Sequence, residues 1–119
     1  MAQSHDEVRA VARNIPMSPQ KVRRVVNVVR GLPVSEALAQ LQFLPQRAAK
    51  PVSKVIASAA ANAEENLGWN RADLYVAMIK ADEGPTRKWR RFGARGRFKP
   101  ILKRTSHITV VLKEREEEV

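Results

Sequence analysis

The chain has 119 residues, enough for one domain with a modest core, and its 44% of hydrophobic residues is typical of a folded protein. No apolar run approaches the roughly 18 residues that cross a bilayer, the polar and acidic start is not that of a secretory signal, and the absence of cysteine excludes disulfides and thiolate metal sites. The net charge of +10 and the isoelectric point near 10.9 predict a polyanionic partner, a nucleic acid first and an anionic membrane second.

A strand with a basic outer face is predicted at residues 7–15. Apolar residues share one parity of this segment, and Arg9 and Arg13 share the other with Val11. This period of two is typical of a half-buried strand. The two arginines are candidates for binding a nucleic acid, although arginines on a short edge strand can equally well be only solvated.

A helix is predicted within residues 18–31. Ser18 is a good N-cap, Pro19 suits the first helical position and Gly31 suits the position just after the end. Four valines recur between them at helical spacing, which outweighs the preference of valine for strands. The polar face carries cations that either bind a nucleic acid or are simply solvated. The candidates from this region are Ser18, Lys21, Arg23, Arg24 and Arg30.

Two further helices are predicted, one from about Val34 to Leu44 and a longer one that runs to about Asn66. Pro45 ends the first of them, and Pro51 fits the first turn of the second. The second helix has a buried stripe rich in alanine, which allows close packing against a neighbour. Gly68 is expected to close it as a C-terminal cap.

Strands predicted at residues 74–81 and 105–112 flank a segment of unusual composition. Residues 85–104 hold nine Lys or Arg, three aromatic residues and no acid. Because a structureless loop of about twenty residues is rare inside a compact domain, both strands are predicted to continue into a long hairpin arm. Its turn is expected near Phe92–Arg97, where two glycines allow positive φ. A lone ribbon crowded with like charges is marginal in water, so we expect a neutralising partner to order it.

The excess of positive charge is confined to one quarter of the chain. Residues 84–113 carry ten basic groups and no acid, which leaves twelve basic and twelve acidic groups elsewhere. The sequence therefore predicts one domain spanning 1–119, made of a neutral body (about 7–84 and 105–114), a cationic arm (about 85–104) and a charged tail (115–119). Arginine and lysine bind phosphates, and interleaved aromatic residues stack on unpaired bases, so the arm favours RNA with exposed loops.

Catalysis has little support in the sequence. The only histidines are His5, near the start, and His107, within a strand. Ser106 and His107 are neighbours on that strand, so they should point to opposite faces and cannot act as nucleophile and base. No glycine-rich phosphate loop and no metal-ligand spacing occurs. We therefore expect no enzyme activity, no catalytic residue, no metal site and no cofactor.

Four segments carry a family resemblance. They are SPQKVRRVVNVVRG at 18–31, SAAANAEEN at 58–66, DEGP at 82–85 and GRFKPILKRTSHITVVL at 96–112. Together they resemble the bacterial large-subunit ribosomal protein twenty-two family, colinearly over about residues 7–114, and KRTSHITVV at 103–111 is the most specific part. The chain departs from the family pattern at Gln20, at Trp89 and at the tip, which reads FGARGRF.

The resemblance implies an α+β fold in which a three-stranded antiparallel sheet packs against three helices and a long basic β-hairpin extends from the sheet. It implies a structural constituent of the large ribosomal subunit, which binds large-subunit ribosomal RNA during early assembly and contacts neighbouring large-subunit proteins. Such a protein works in the cytoplasm, in the ribosome, and not at a membrane. The tip of its hairpin helps to line the nascent-peptide exit tunnel and meets the nascent polypeptide there.

The candidate site residues of the arm fall into three groups. The candidates for binding ribosomal RNA in the hairpin are Arg87, Lys88, Arg90, Arg91, Arg95, Arg97, Lys99, Lys103 and Arg104. The candidates for base stacking are Trp89, Phe92 and Phe98. The resemblance implies a tunnel-facing tip made of Gly93, Ala94, Arg95 and Gly96. Two alternatives remain open at this point: a basic architectural protein that binds DNA or RNA outside the ribosome, and a protein of anionic membrane surfaces.

Overall fold

The computed structural model describes residues 7–92 and 98–115, with residues 87–92 and 98–102 described by their backbone. The elements in chain order are β1 (Glu7–Ile15), α1 (Pro19–Val29), α2 (Val34–Phe43), α3 (Ala49–Leu67), a 3-10 turn (Arg71–Asp73), β2 (Leu74–Glu83), β3 (Arg87–Phe92), β4 (Phe98–Lys103) and β5 (Ser106–Glu114). The predicted α+β fold is thereby confirmed. The predicted turn and tunnel-facing tip at 93–97 and the last residues of the tail at 116–119 lie outside the described residues.

The sheet of the body contains β1, β5 and β2 in that order, and both pairs are antiparallel. Alternation along β5 sends Ser106, Ile108, Val110 and Leu112 to the face covered by the helices, where all four are fully buried. On β1 the alternation also follows the prediction, because its small apolar residues pack against the core while Arg9 and Arg13 are exposed.

The helices begin and end where the capping residues predicted. Ser18 precedes the first residue of α1, and Gly31 follows its end with a φ of 84°. Pro51 lies in the first turn of α3, and Gly68 ends that helix in the left-handed region with a φ of 67°. The predicted valine and alanine stripes form the core, and the fully buried alanines of α3 let its backbone approach the sheet. The 3-10 turn at Arg71–Asp73 was not predicted.

The arm is a separate two-stranded ladder, which corrects one detail of the prediction. We expected the strands of the body to run without a break into the hairpin, but they are interrupted at residues 84–86 and 104–105. Beyond the breaks, β3 and β4 pair antiparallel from Arg87 opposite Lys103 to Phe92 opposite Phe98. The radius of gyration is 17.8 Å and the longest extent is 72 Å, whereas a compact chain of this length has a radius of about 13–14 Å.

Candidate nucleic-acid interface

Three adjacent residues make hydrogen bonds at the place where the arm leaves the body. The Thr105 hydroxyl donates to the Pro85 carbonyl oxygen across the base of the arm, at 2.8 Å. The Ser106 hydroxyl donates to the carbonyl oxygen of Met17, between β1 and α1, at 2.6 Å. Nδ1 of His107 accepts the backbone N–H of Asn14 at 3.1 Å. Ser106 and His107 thus bind different partners, as their opposite orientations on a strand require.

A glycine is required directly opposite these residues. The backbone N–H of Gly84 donates to the Thr105 carbonyl oxygen at 2.9 Å. This bond holds the two segments of the backbone together where the strands break. A Cβ at Gly84 would collide with the Thr105 hydroxyl oxygen and lie 3.2 Å from the nearest ring atom of His107. The third residue of the DEGP segment is therefore a glycine because Thr105 and His107 on the opposite segment occupy the space of a side chain.

An open cleft lies where the arm leaves the body, and we call it the junction cleft. Its lining consists of Asn14, Pro16, Met17, Ser18, Lys21, Arg24, Gln46, Arg47, Ala48, Pro85, Lys103, Arg104 and Thr105. Five of these residues are cations, all five are exposed, and none of the lining residues is an acid. The cleft therefore has a concentrated positive charge on a concave surface, and a site of this kind attracts phosphates.

The junction cleft brings together candidates from two distant parts of the sequence. Ser18, Lys21 and Arg24 come from the start of α1, and Lys103 and Arg104 come from the base of the arm. Arg47 also lies in the lining but was not a candidate. It is a single cation in the connection between α2 and α3, where no periodic pattern marks it, and only the tertiary fold shows that it belongs with the others.

The other candidates of α1 have a contact within the body. The Arg23 Nε donates to the Ala81 carbonyl oxygen at 3.1 Å. One terminal nitrogen of Arg30 donates to the Ile79 carbonyl oxygen at 2.9 Å, and the other donates to Oδ1 of Asn27 at 2.9 Å. Since β2 is an edge strand of the body sheet, these arginines cover carbonyl groups that would otherwise be open to another strand. Binding of RNA by their remaining N–H groups stays a prediction.

Arg9 and Arg13 lie apart from the junction cleft. Both are exposed on β1, and neither belongs to the lining of the cleft. Arg9 lies opposite Val111 in the ladder between β1 and β5. Arg13 precedes Asn14, which has a φ of 58° at the point where the register of this ladder shifts. A ribosomal RNA contact at these arginines would therefore be a second one.

The described part of the chain contains neither a metal-binding cluster nor a membrane-spanning helix. Among its residues there is no group of three or more His, Asp or Glu side chains that could hold a metal ion. No helix among them is long and apolar enough to cross a membrane. Arg71 forms an ion pair with Glu64 at 2.7 Å, and Lys80 forms one with Asp82 at 3.5 Å.

Comparison with known proteins confirms the resemblance. The family model described as Ribosomal protein L22p/L17e matches residues 10–113. A relative named large ribosomal subunit protein uL22, from Thermoanaerobacter sp. (strain X514), is 56% identical over 110 residues, or 92% of this chain and 99% of the relative. A relative of the same name from Synechococcus sp. (strain JA-3-3Ab) is 50% identical over 118 residues, or 99% of this chain and 96% of the relative. Since the match spans the body and the arm, the chain belongs to the ribosomal protein L22p/L17e family, a family of structural proteins and not of enzymes.

Proposed function

We propose that this chain binds large-subunit ribosomal RNA during early assembly of the subunit and that its arm helps to line the nascent-peptide exit tunnel. Its family makes it a structural protein of the large ribosomal subunit, in the ribosome of the cytoplasm. Its partners there are the ribosomal RNA and neighbouring ribosomal proteins. The nascent polypeptide would be a further partner, met at the tip of the arm.

The observation that carries the proposed RNA binding is the distribution of charge over the fold. The ten basic groups of residues 84–113, a segment that contains no acid, lie in or next to the arm. The cations at its base face the junction cleft together with cations of the body. A folded RNA has closely spaced phosphates, so an extended cationic element can replace the counterions that these phosphates would otherwise hold.

The test of RNA binding is a pair of measurements on the full chain. We expect the protein to remain with large ribosomal subunits through a high-salt wash. In titrations with large-subunit ribosomal RNA, contact with about six phosphates should give a log–log dependence on salt with a slope of about −4 to −5. Equal affinity for duplex DNA at matched salt would contradict the proposal and would favour a basic architectural protein that binds either nucleic acid.

The proposed place of the tip has its own test. If Arg95 approaches the lumen while Phe98 anchors the arm, Arg95→Glu should change nascent-chain stalling with little effect on subunit assembly. Phe98→Ala should instead slow assembly. Assembly profiles and a stalling assay on both variants measure these two effects. Equal assembly defects without any difference in stalling would show that the tip acts only through RNA.

A further inference from the structure

We infer that the junction cleft is a binding site for an RNA backbone phosphate and that this phosphate holds the arm in a fixed orientation to the body. The inference rests on the proposed RNA binding and adds the place where the two parts of the protein meet the same stretch of RNA. Three separate segments supply the cations: α1 supplies Lys21 and Arg24, the connection between α2 and α3 supplies Arg47, and the base of the arm supplies Lys103 and Arg104.

The charge of the junction cleft needs an anion. Five cations share one concave surface, and no residue of its lining is an acid, so an anion that enters the cleft is attracted from several sides. A phosphate diester supplies both the negative charge and the oxygen acceptors that several arginines can share.

The helices that border the junction cleft add to its positive potential. Ser18 and Ala48, the N-cap residues of α1 and α3, both belong to the lining. Neither makes a side-chain capping bond, and the first turns of these two helices have no acid, whereas the first turn of α2 has Glu36. Because the N-terminal end of a helix carries a partial positive charge, both helix starts favour the anion that the cations attract.

The position of the junction cleft explains how one phosphate group can orient the arm. The strands break at residues 84–86 and 104–105, so the backbone ladder does not by itself carry the direction of the body sheet into the arm. The cleft spans this break, with Pro85 and Thr105 in its lining together with Ser18 of the body. An anion that is bound from both sides therefore fixes the arm relative to α1 and α3.

The test compares single substitutions in the full chain, with large-subunit ribosomal RNA as the probe. Arg47→Ala should reduce the magnitude of the log–log salt slope by about one. Between 50 and 200 mM salt, the unchanged protein should then lose about fourfold more affinity than the variant. Arg47→Lys keeps the charge and should keep most of the slope. Lys54→Ala is the matched control, because it removes one exposed cation of α3 that is not part of the cleft.

The outcomes separate this inference from the proposed function. If the unchanged protein does not prefer ribosomal RNA over duplex DNA, the proposed function itself fails. If the unchanged protein prefers ribosomal RNA, but Arg47→Ala and Lys54→Ala give the same slope, the junction cleft is not a phosphate site and the inference fails. A titration with inorganic phosphate, followed by the amide signals of Lys21 and Ala48, should show shifts in the unchanged protein that Arg47→Ala weakens. Equal shifts in both proteins would also overturn the inference.

Discussion

Removal of the Ser106 hydroxyl tests how the start of β5 is held to the turn before α1, at the end of the body from which the arm leaves. The side chain is fully buried, and its hydroxyl donates to the Met17 carbonyl oxygen at 2.6 Å. This bond joins β5 to the turn between β1 and α1, two segments separated by 89 positions in the sequence. Ser106→Ala removes the donor and adds no volume, so the main change is the loss of one partner for the carbonyl oxygen.

The expected loss in the free energy of unfolding follows from the burial of Ser106 and Met17. A typical hydrogen bond contributes about 0.5–1.5 kcal/mol, and a buried acceptor left without a partner costs about 1–3 kcal/mol. Met17 is only half-buried, so water can reach part of this region and the lower values apply. We therefore expect Ser106→Ala to reduce the free energy of unfolding by about 1–2 kcal/mol. For a domain of this size, each kcal/mol corresponds to about 3–5 °C in Tm.

Urea unfolding of the full chain measures this loss. The midpoint should fall while the slope m stays the same, because the surface exposed on unfolding does not change. Ser58→Ala is the control, since Ser58 is exposed on α3 and its substitution should change the free energy of unfolding by less than about 0.5 kcal/mol. Equal midpoints for the two variants would refute the idea that the Ser106 bond stabilises the body by joining β5 to the turn between β1 and α1.

Three further substitutions probe single contacts, each read from urea unfolding. Gly84→Ala should reduce the free energy of unfolding by about 1–3 kcal/mol through overpacking, because its Cβ would collide with Thr105. An unchanged midpoint would mean that the segments around Gly84 and Thr105 can move apart without a loss of stability. Gly68→Ala should cost about 1–2 kcal/mol for its left-handed backbone alone, since no atom lies within 4 Å of the added Cβ; a larger loss would point to a hidden steric contact. Both Arg30→Ala and Arg30→Lys should reduce the free energy of unfolding by about 1 kcal/mol, because the planar guanidinium group donates to the Ile79 carbonyl oxygen and to Oδ1 of Asn27 together. Full retention of stability by the lysine variant would show that charge alone matters.

Most elements of the fold are predictable because their signals are local. The N-cap position of Ser18 and the closing glycine after α1 lie within one short segment, and the valines between them repeat with the period of the helix. The left-handed Gly68 at the end of α3 follows in the same way. The 3-10 turn before β2 is different, because it depends on Asn70, whose Oδ1 accepts the N–H of Ala72 at 3.0 Å. A single side-chain bond of this kind leaves no periodic pattern.

The candidate interface is predictable in its chemistry but only partly in its geometry. The sequence, through the helical spacing of α1 and the charge of residues 85–104, identified the cations of α1 and of the arm. It did not identify Arg47, and it did not show that Arg23 and Arg30 donate to carbonyl groups of β2. These features depend on which elements lie side by side. The need for a glycine at position 84 also depends on the tertiary structure, because Thr105 and His107 on the opposite segment leave no room for a side chain.

The TSH segment, residues 105–107, fixes the register of β5. Thr105, Ser106 and His107 each bond to a different part of the protein, and successive side chains of a strand point to opposite faces. A shift of β5 by one residue would turn Ser106 away from Met17 and would break the bonds of its neighbours as well. The three bonds therefore specify one register of β5, and with it the residue at which the body ends and the arm begins. Since Lys103 and Arg104 directly precede this segment, the same register places their charge at the junction cleft.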